Sequence, residues 1–184
     1  MKNHSFGLSN FIYTEWLRPI LDYYVTIKKN EVAFEILIPG VVAIVAAFLY
    51  SQANKVESAL RALSDLLPTA ISILIGFTIM LITLLLTSSG ENIERIKRIK
   101  TDKKINNTNI SLYQGLHIQF SHSLFSEIIL LLLVFFYLFL LGLGWNVAVG
   151  PFFLAIETFL TMNILLSILR GITNLYFSFY NIQQ

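Results

Sequence analysis

Residues 91–104 read ENIERIKRIKTDKK and hold nine charged side chains, in a chain of 184 residues with 13 Lys and Arg and 11 Asp and Glu in all. The segment separates two pairs of long apolar runs, and that contrast decides the fold. Working outward from it, four runs approach or exceed the ~20 residues that a helix needs to cross a bilayer: Ala33–Tyr50, Leu66–Ser88, Leu124–Trp145 and Val149–Leu169. Within each run the apolar residues are continuous instead of alternating, so barrel strands fit poorly. Helices follow, because lipid cannot satisfy an open backbone.

The fold class is therefore all-α: a polytopic membrane protein with four transmembrane helices in two helical hairpins, preceded by an interfacial helix. Residues 1–32 form the interfacial segment, read as one or two short helices over 10–30 restarted at Pro19. Residues 33–88 form the first hairpin, with an external amphipathic helix over 54–66. Residues 89–123 are the basic loop, 124–170 the second hairpin and 171–184 an interfacial tail.

Composition agrees. The chain is 55% hydrophobic and 13% charged, where soluble domains carry about a quarter charged residues. A net charge of +2 is too small to argue for direct nucleic-acid binding. Without cysteine there are no disulfides and no thiolate metal or redox sites. No cleavable leader is legible, so the N-terminus is expected to be kept.

Even span number puts both termini and the basic loop on one side. That side carries Lys2, Arg18, Lys28, Lys29, Arg95, Lys97, Arg98, Lys100, Lys103, Lys104 and Arg170, against Lys55 and Arg61 on the other. The positive-inside rule makes the basic side cytoplasmic. Tyr13, Trp16, Tyr23 and Tyr24, then Tyr50 and Trp145, then Tyr176, Phe177, Phe179 and Tyr180, are expected at headgroup level.

Small residues let helices approach in lipid. Gly40, Ala43 and Ala47 on the first span and Ser72, Gly76, Thr83 and Thr87 on the second are expected to form the tightest seam, within one chain or between subunits; the second stripe is alternatively a pore wall. Pro39 is expected to kink the first span. Charges in a span are functional hypotheses by default. Glu127 and Arg170 are placed at one depth and expected to pair. Glu157, deeper and without a cation, reads as a proton-sensitive site, a ring of carboxylates about an oligomer axis, or a hydrogen-bonding group. Asn163, Ser167, Arg170 and Asn174 make a polar stripe suited to holding helices together.

In the basic segment, Ser88 and Glu91 have capping-box spacing, and Glu91–Arg95 and Glu94–Arg98 suit i,i+4 pairs. The segment is expected to be a helix extending from the second span, followed by a polar flexible linker over 105–111. Arg95, Lys97, Arg98, Lys100, Lys103 and Lys104 are the candidate partner-docking residues, with contact to an anionic inner leaflet as the plainer role. His117 and His122 do not share a helix face, and there is no nucleophile elbow, phosphate loop or zinc motif. No enzyme, cofactor or metal is expected.

A small cysteine-free chain with this order of spans, and the stretch LPTAISILIGFTIMLITLLLTSSGENIERIK (67–97), resembles the membrane subunit of the Kiwa antiphage defence system over nearly its whole length. The resemblance implies a bacterial inner-membrane homo-oligomer, a tetramer, that senses phage attack and binds a cytoplasmic DNA-binding effector protein. The leading expectation is thus a non-enzymatic sensor and scaffold. The alternative is a small oligomeric ion channel or membrane-permeabilising effector.

Overall fold

The computed structural model describes residues 18–105, 107–143 and 149–180. Tyr13, Trp16, Trp145 and the turn around Asn146 lie outside the described residues. The elements are α1 (Arg18–Thr26), α2 (Lys29–Gln52), α3 (Val56–Thr87), α4 (Glu91–Arg98), β1 (Lys100–Ile105), β2 (Thr108–Ser111), α5 (Leu112–Gly142) and α6 (Gly150–Tyr180). Four of them, α2, α3, α5 and α6, are long and apolar enough to cross a membrane. The chain is an all-α multi-pass membrane protein with one small β-hairpin.

Each boundary has a local cause. Pro19 occupies the first turn of α1, where its missing N–H costs nothing. Asn54 closes α2 in the left-handed region (φ 53°), and the Lys55 N–H caps the Tyr50 carbonyl at 2.9 Å. Helix α5 begins at a capping box: Ser111 Oγ accepts from the Gln114 N–H, and Gln114 Oε1 accepts from the Ser111 N–H.

Several sequence expectations shift here. Helix α5 starts twelve residues before Leu124: the run from Leu112 to Ser123 is wound into the helix, with Leu116, Gln119, Phe120, His122 and Ser123 buried, instead of looping outside. The external helix over 54–66 is not separate: α3 runs unbroken for 32 residues through Pro68, about 48 Å at 1.5 Å per residue. It therefore extends past an apolar slab of ~30 Å. The basic segment is not an extension of α3. Ser88–Gly90 breaks the helix, α4 is capped at Gly90 and not at Ser88, and the chain then becomes a strand. The expected flexible linker is instead built into an antiparallel hairpin, Ile105 ending β1 and Thr108–Ser111 forming β2, with Lys104 opposite Asn109 and Ile105 opposite Thr108.

Helix α6 is the hub, packed against α5, α2 and, less extensively, α3. Within one chain, the expected seam between the first two spans does not form. Helix α2 packs on α6 through Glu35, Pro39 and Ala43, with Gly40 and Ala47 half-buried at the edge, and it barely touches α3. The face α3 buries is set by Leu60, Ser64, Leu67, Ile71, Thr78, Leu81 and Leu85, so Ser72, Gly76 and Thr83 are left on the outside. Ser72 and Thr87 satisfy their hydroxyls on their own helix, at Pro68 O and Thr83 O.

Three apolar layers fill the α3–α5–α6 bundle. Near the α5–α6 turn lie Leu60, Tyr137, Phe153 and Leu154. In the middle lie Leu67, Ile71, Leu130, Val134, Ile164 and Ile168. At the basic end lie Leu81, Leu85, Leu116 and Phe120. Hydrophobic driving force between helices vanishes in lipid, so close fit and polar bonds carry the association. The close fit is at Gly171, where a Cβ would stand 2.7 Å from Phe120 Cε1, whereas at Gly40 and Gly76 a Cβ would meet nothing within 4 Å.

Gly171→Ala should therefore destabilise the bundle by about 1–2 kcal/mol, overpacking outweighing the gain in helix propensity. Gly40→Ala and Gly76→Ala should not destabilise it. Reversible unfolding of the three variants in mixed micelles checks the order.

A buried ionic clasp at the basic end

Arg170, on α6, is the only Lys or Arg between Lys104 and the end of the sequence. Its guanidinium lies 3.2 Å from Glu31 Oε2 and 3.1 Å from Glu35 Oε1, both on α2 and four residues apart, hence on one helix face. It also donates to the hydroxyl of Tyr23 on α1, and Tyr23 donates to Glu35 Oε2 at 2.6 Å. The Glu35 side chain is 4% exposed and that of Arg170 19%. Three helices are thus joined by one cation shared between two carboxylates and a phenol, a charge-assisted arrangement stronger than neutral bonds.

Bonds beneath the clasp extend it into α5. Ser167 Oγ lies 3.1 Å from Ser123 Oγ and 3.4 Å from the Tyr23 hydroxyl. Gln119 donates to the Ser167 carbonyl and accepts from Asn174, while Asn163 donates to the Glu35 carbonyl. His122 stacks on the Tyr23 ring at 3.8 Å and 9°, with Tyr24 edge-on at 5.5 Å. Tyr23 is therefore a buried bridge, whereas of the other rings expected at headgroup level Tyr24, Tyr50, Tyr176 and Phe177 are exposed. Burial pushes the Tyr23 phenol well above its ordinary range; Arg170 opposes this and the bond to Glu35 adds to it.

The expected Glu127–Arg170 pair does not form. The α5–α6 hairpin sets Ser123 against Ser167 and Phe120 against Gly171, nearly two helical turns away from the register that would pair them. Because α5 begins at Leu112, Glu127 is not one turn into its helix but at the midpoint. There its Oε1 accepts from Thr78 Oγ1 at 2.8 Å and its Oε2 has no partner among the described residues. Glu157 is fully buried, and neither of its oxygens has a partner among them.

The basic layer sits against the clasp. Ile93, Ile96 and Ile110 are buried, the Leu112 N–H donates to the Ile99 carbonyl at 2.9 Å, and Thr101 Oγ1 donates to the Ile110 carbonyl. The six sequence-chosen cations divide. Arg98, Lys100 and Lys104 are exposed. Lys97 bonds Glu94 at 2.9 Å and lies over the Tyr113 ring, and Arg95 is half-buried. Lys103 points inward: burial pulls its ammonium below the usual range, Glu31 opposing, Arg170 and Lys28 adding to the effect and Glu35 again opposing.

Sequence reasoning missed Tyr23, Glu31, Glu35, Gln119 and Ser123. Glu35 inside an apolar run, with Glu31 four residues before it, was the available signal. No group of three His, Asp or Glu side chains among the described residues is placed to hold a metal ion. No protein-family model, curated protein or solved structure matches the chain.

Removing one partner of a buried ion pair typically costs about 3–5 kcal/mol, and removing both costs far less. Arg170→Met should lower stability by about 3 kcal/mol, and Arg170→Met with Glu35→Gln should recover most of it; chemical unfolding in detergent reads both.

Proposed function

We propose that the chain is a non-enzymatic sensor and scaffold of a bacterial inner membrane, which oligomerises and recruits a cytoplasmic DNA-binding effector protein in antiphage defence. The observation that supports this best is the folded basic layer. Helix α4 and the β-hairpin present Arg98, Lys100 and Lys104 to solvent while Ile93, Ile96 and Ile110 are buried beneath. A loop that served only to set topology needs positive charge but no tertiary structure. A docking platform needs cations held at fixed spacing, since preorganised groups lose less entropy on binding. The partner's matching surface is acidic, and its DNA-binding face stays free, so this chain makes no direct contact with nucleic acid.

In this reading the basic end lies in the cytoplasm, as the positive-inside rule requires, and faces an anionic leaflet that adds attraction for the same residues. The outward stripe of Ser72, Gly76 and Thr83 is available for contact between copies of the chain, consistent with a homo-oligomer. The resemblance to the Kiwa membrane subunit supports the same assignment. The channel alternative meets an obstacle within one chain: the apolar layer of Leu67, Ile71, Leu130, Val134, Ile164 and Ile168 divides the buried polar groups at the two ends.

The test pairs two assays on the full chain. Affinity purification from the native host should retain a cytosolic DNA-binding protein, and the triple variant Arg98→Glu, Lys100→Glu, Lys104→Glu should lose it while keeping the oligomer. Reconstituted liposomes should show no ion flux. Flux abolished by Glu157→Gln would favour the channel.

A further inference from the structure

The end of the bundle opposite the basic layer holds a second polar cluster with different chemistry. Ser64 on α3, Tyr137 on α5 and Glu157 on α6 are 4%, 0% and 0% exposed. Their four side-chain oxygens, Ser64 Oγ, the Tyr137 hydroxyl and both Glu157 oxygens, have no hydrogen-bond partner among the described residues. Buried polar groups are ordinarily satisfied; of the nine buried side-chain polar atoms without a hydrogen-bond partner among the described residues, these four lie on three facing helices at one end of the bundle.

The helix registers bring them together. Leu60, Tyr137, Phe153 and Leu154 form one packed cluster. Ser64 is one turn beyond Leu60 on α3, and Glu157 is one turn beyond Phe153 and Leu154 on α6, so both flank Tyr137 at the next level inward. The contact of Gly150 with Val56 and Leu60 fixes the parallel register of α3 and α6 and sets Ser64 level with Glu157. Tyr137 is within electrostatic reach of Glu157, and also of Glu57 and Arg61, which pair with each other.

Charge completes the argument. Residues 36–52 of α2, 128–142 of α5 and 150–169 of α6 hold no charged residue other than Glu157. On α3, Arg61 lies one turn toward the helix end, but it is exposed and bonded to Glu57 at 2.8 Å, and Asp65 is exposed. No cation of the described chain neutralises Glu157, and a lone buried carboxylate is costly. One carboxylate and two hydroxyls supply only hard oxygen donors and a single negative charge, the complement of one compact monovalent cation.

We propose that Ser64, Tyr137 and Glu157 form an enclosed site for one sodium ion, which ties α3, α5 and α6 together at the end away from the basic layer. The site does not depend on the docking role of that layer.

The experiment is thermal unfolding of the purified full chain in detergent at pH 8, in sodium, potassium or choline chloride at equal ionic strength. A ligand held only by the folded state raises the midpoint with its concentration. The expected result is a saturable rise of several degrees in sodium, little in potassium and none in choline. Tyr137→Phe and Ser64→Ala should each shift the half-maximal sodium concentration upward about tenfold, and Glu157→Gln should abolish the effect. If Glu157→Gln does not fold, the two hydroxyl variants decide. Sodium should also protect Glu157, but not Glu127, from labelling by dicyclohexylcarbodiimide, read by mass spectrometry. Equal midpoints in sodium and choline would overturn the site. So would stability that rises with falling pH and ignores sodium, which would make the ligand a proton.

Discussion

A guanidinium at the edge of a lipid slab cannot stand alone, and Arg170 recruits what surrounds it to meet that need. Its two carboxylates fix the face that α2 turns to α6. Its phenol partner draws α1 under the bundle, where Tyr23 also meets Ser167 and stacks on His122. Through α1 and Lys103 the β-hairpin is held close as well. Helix α2 shows the dependence most plainly. It contacts α3 little and exposes Phe34, Leu37, Val41, Ile44 and Phe48, so its place rests on the Glu35–Ala43 stripe against α6 and on the ion pair.

The two ends of the bundle solve the same problem differently. At the basic end every charge in the clasp finds an opposite charge within the chain, and the cost of burial is offset by short, charge-assisted bonds. At the far end a carboxylate and two hydroxyls find no partner within the described chain. Between them lies the apolar layer of Leu67, Ile71, Leu130, Val134, Ile164 and Ile168, and Thr78 bonds Glu127 within the bundle.

The four spans and their separation by a basic segment were legible because a 20-residue apolar run has few other physical solutions. Three features were not. The hairpin over 100–111 was hidden because its signal is short, two adjacent asparagines between polar strands; Asn107, at φ 62°, sits in the left-handed region that asparagine tolerates. The early start of α5 was hidden because Gly115, His117, Gln119, His122 and Ser123 look like a loop until the partners of Gln119, His122 and Ser123 on α1 and α6 are known. The ion pair was misassigned because depth was counted from apolar boundaries, whereas α5 begins at the Ser111 capping box, well before the apolar run. The small-residue stripe of α3 was visible, but which way it faces depends on where the bulkier Leu and Ile residues pack.

Because the chain has no native cysteine, paired spin labels can be placed at will, and one distance tests the clasp directly. Labels at Asp102→Cys on β1 and Thr173→Cys on α6, both exposed positions, report how firmly the basic layer is seated on the bundle. The account predicts a single narrow distance distribution in lipid nanodiscs that broadens markedly when Arg170→Met is added. A broad distribution in the otherwise native chain, or one that Arg170→Met leaves unchanged, would contradict it.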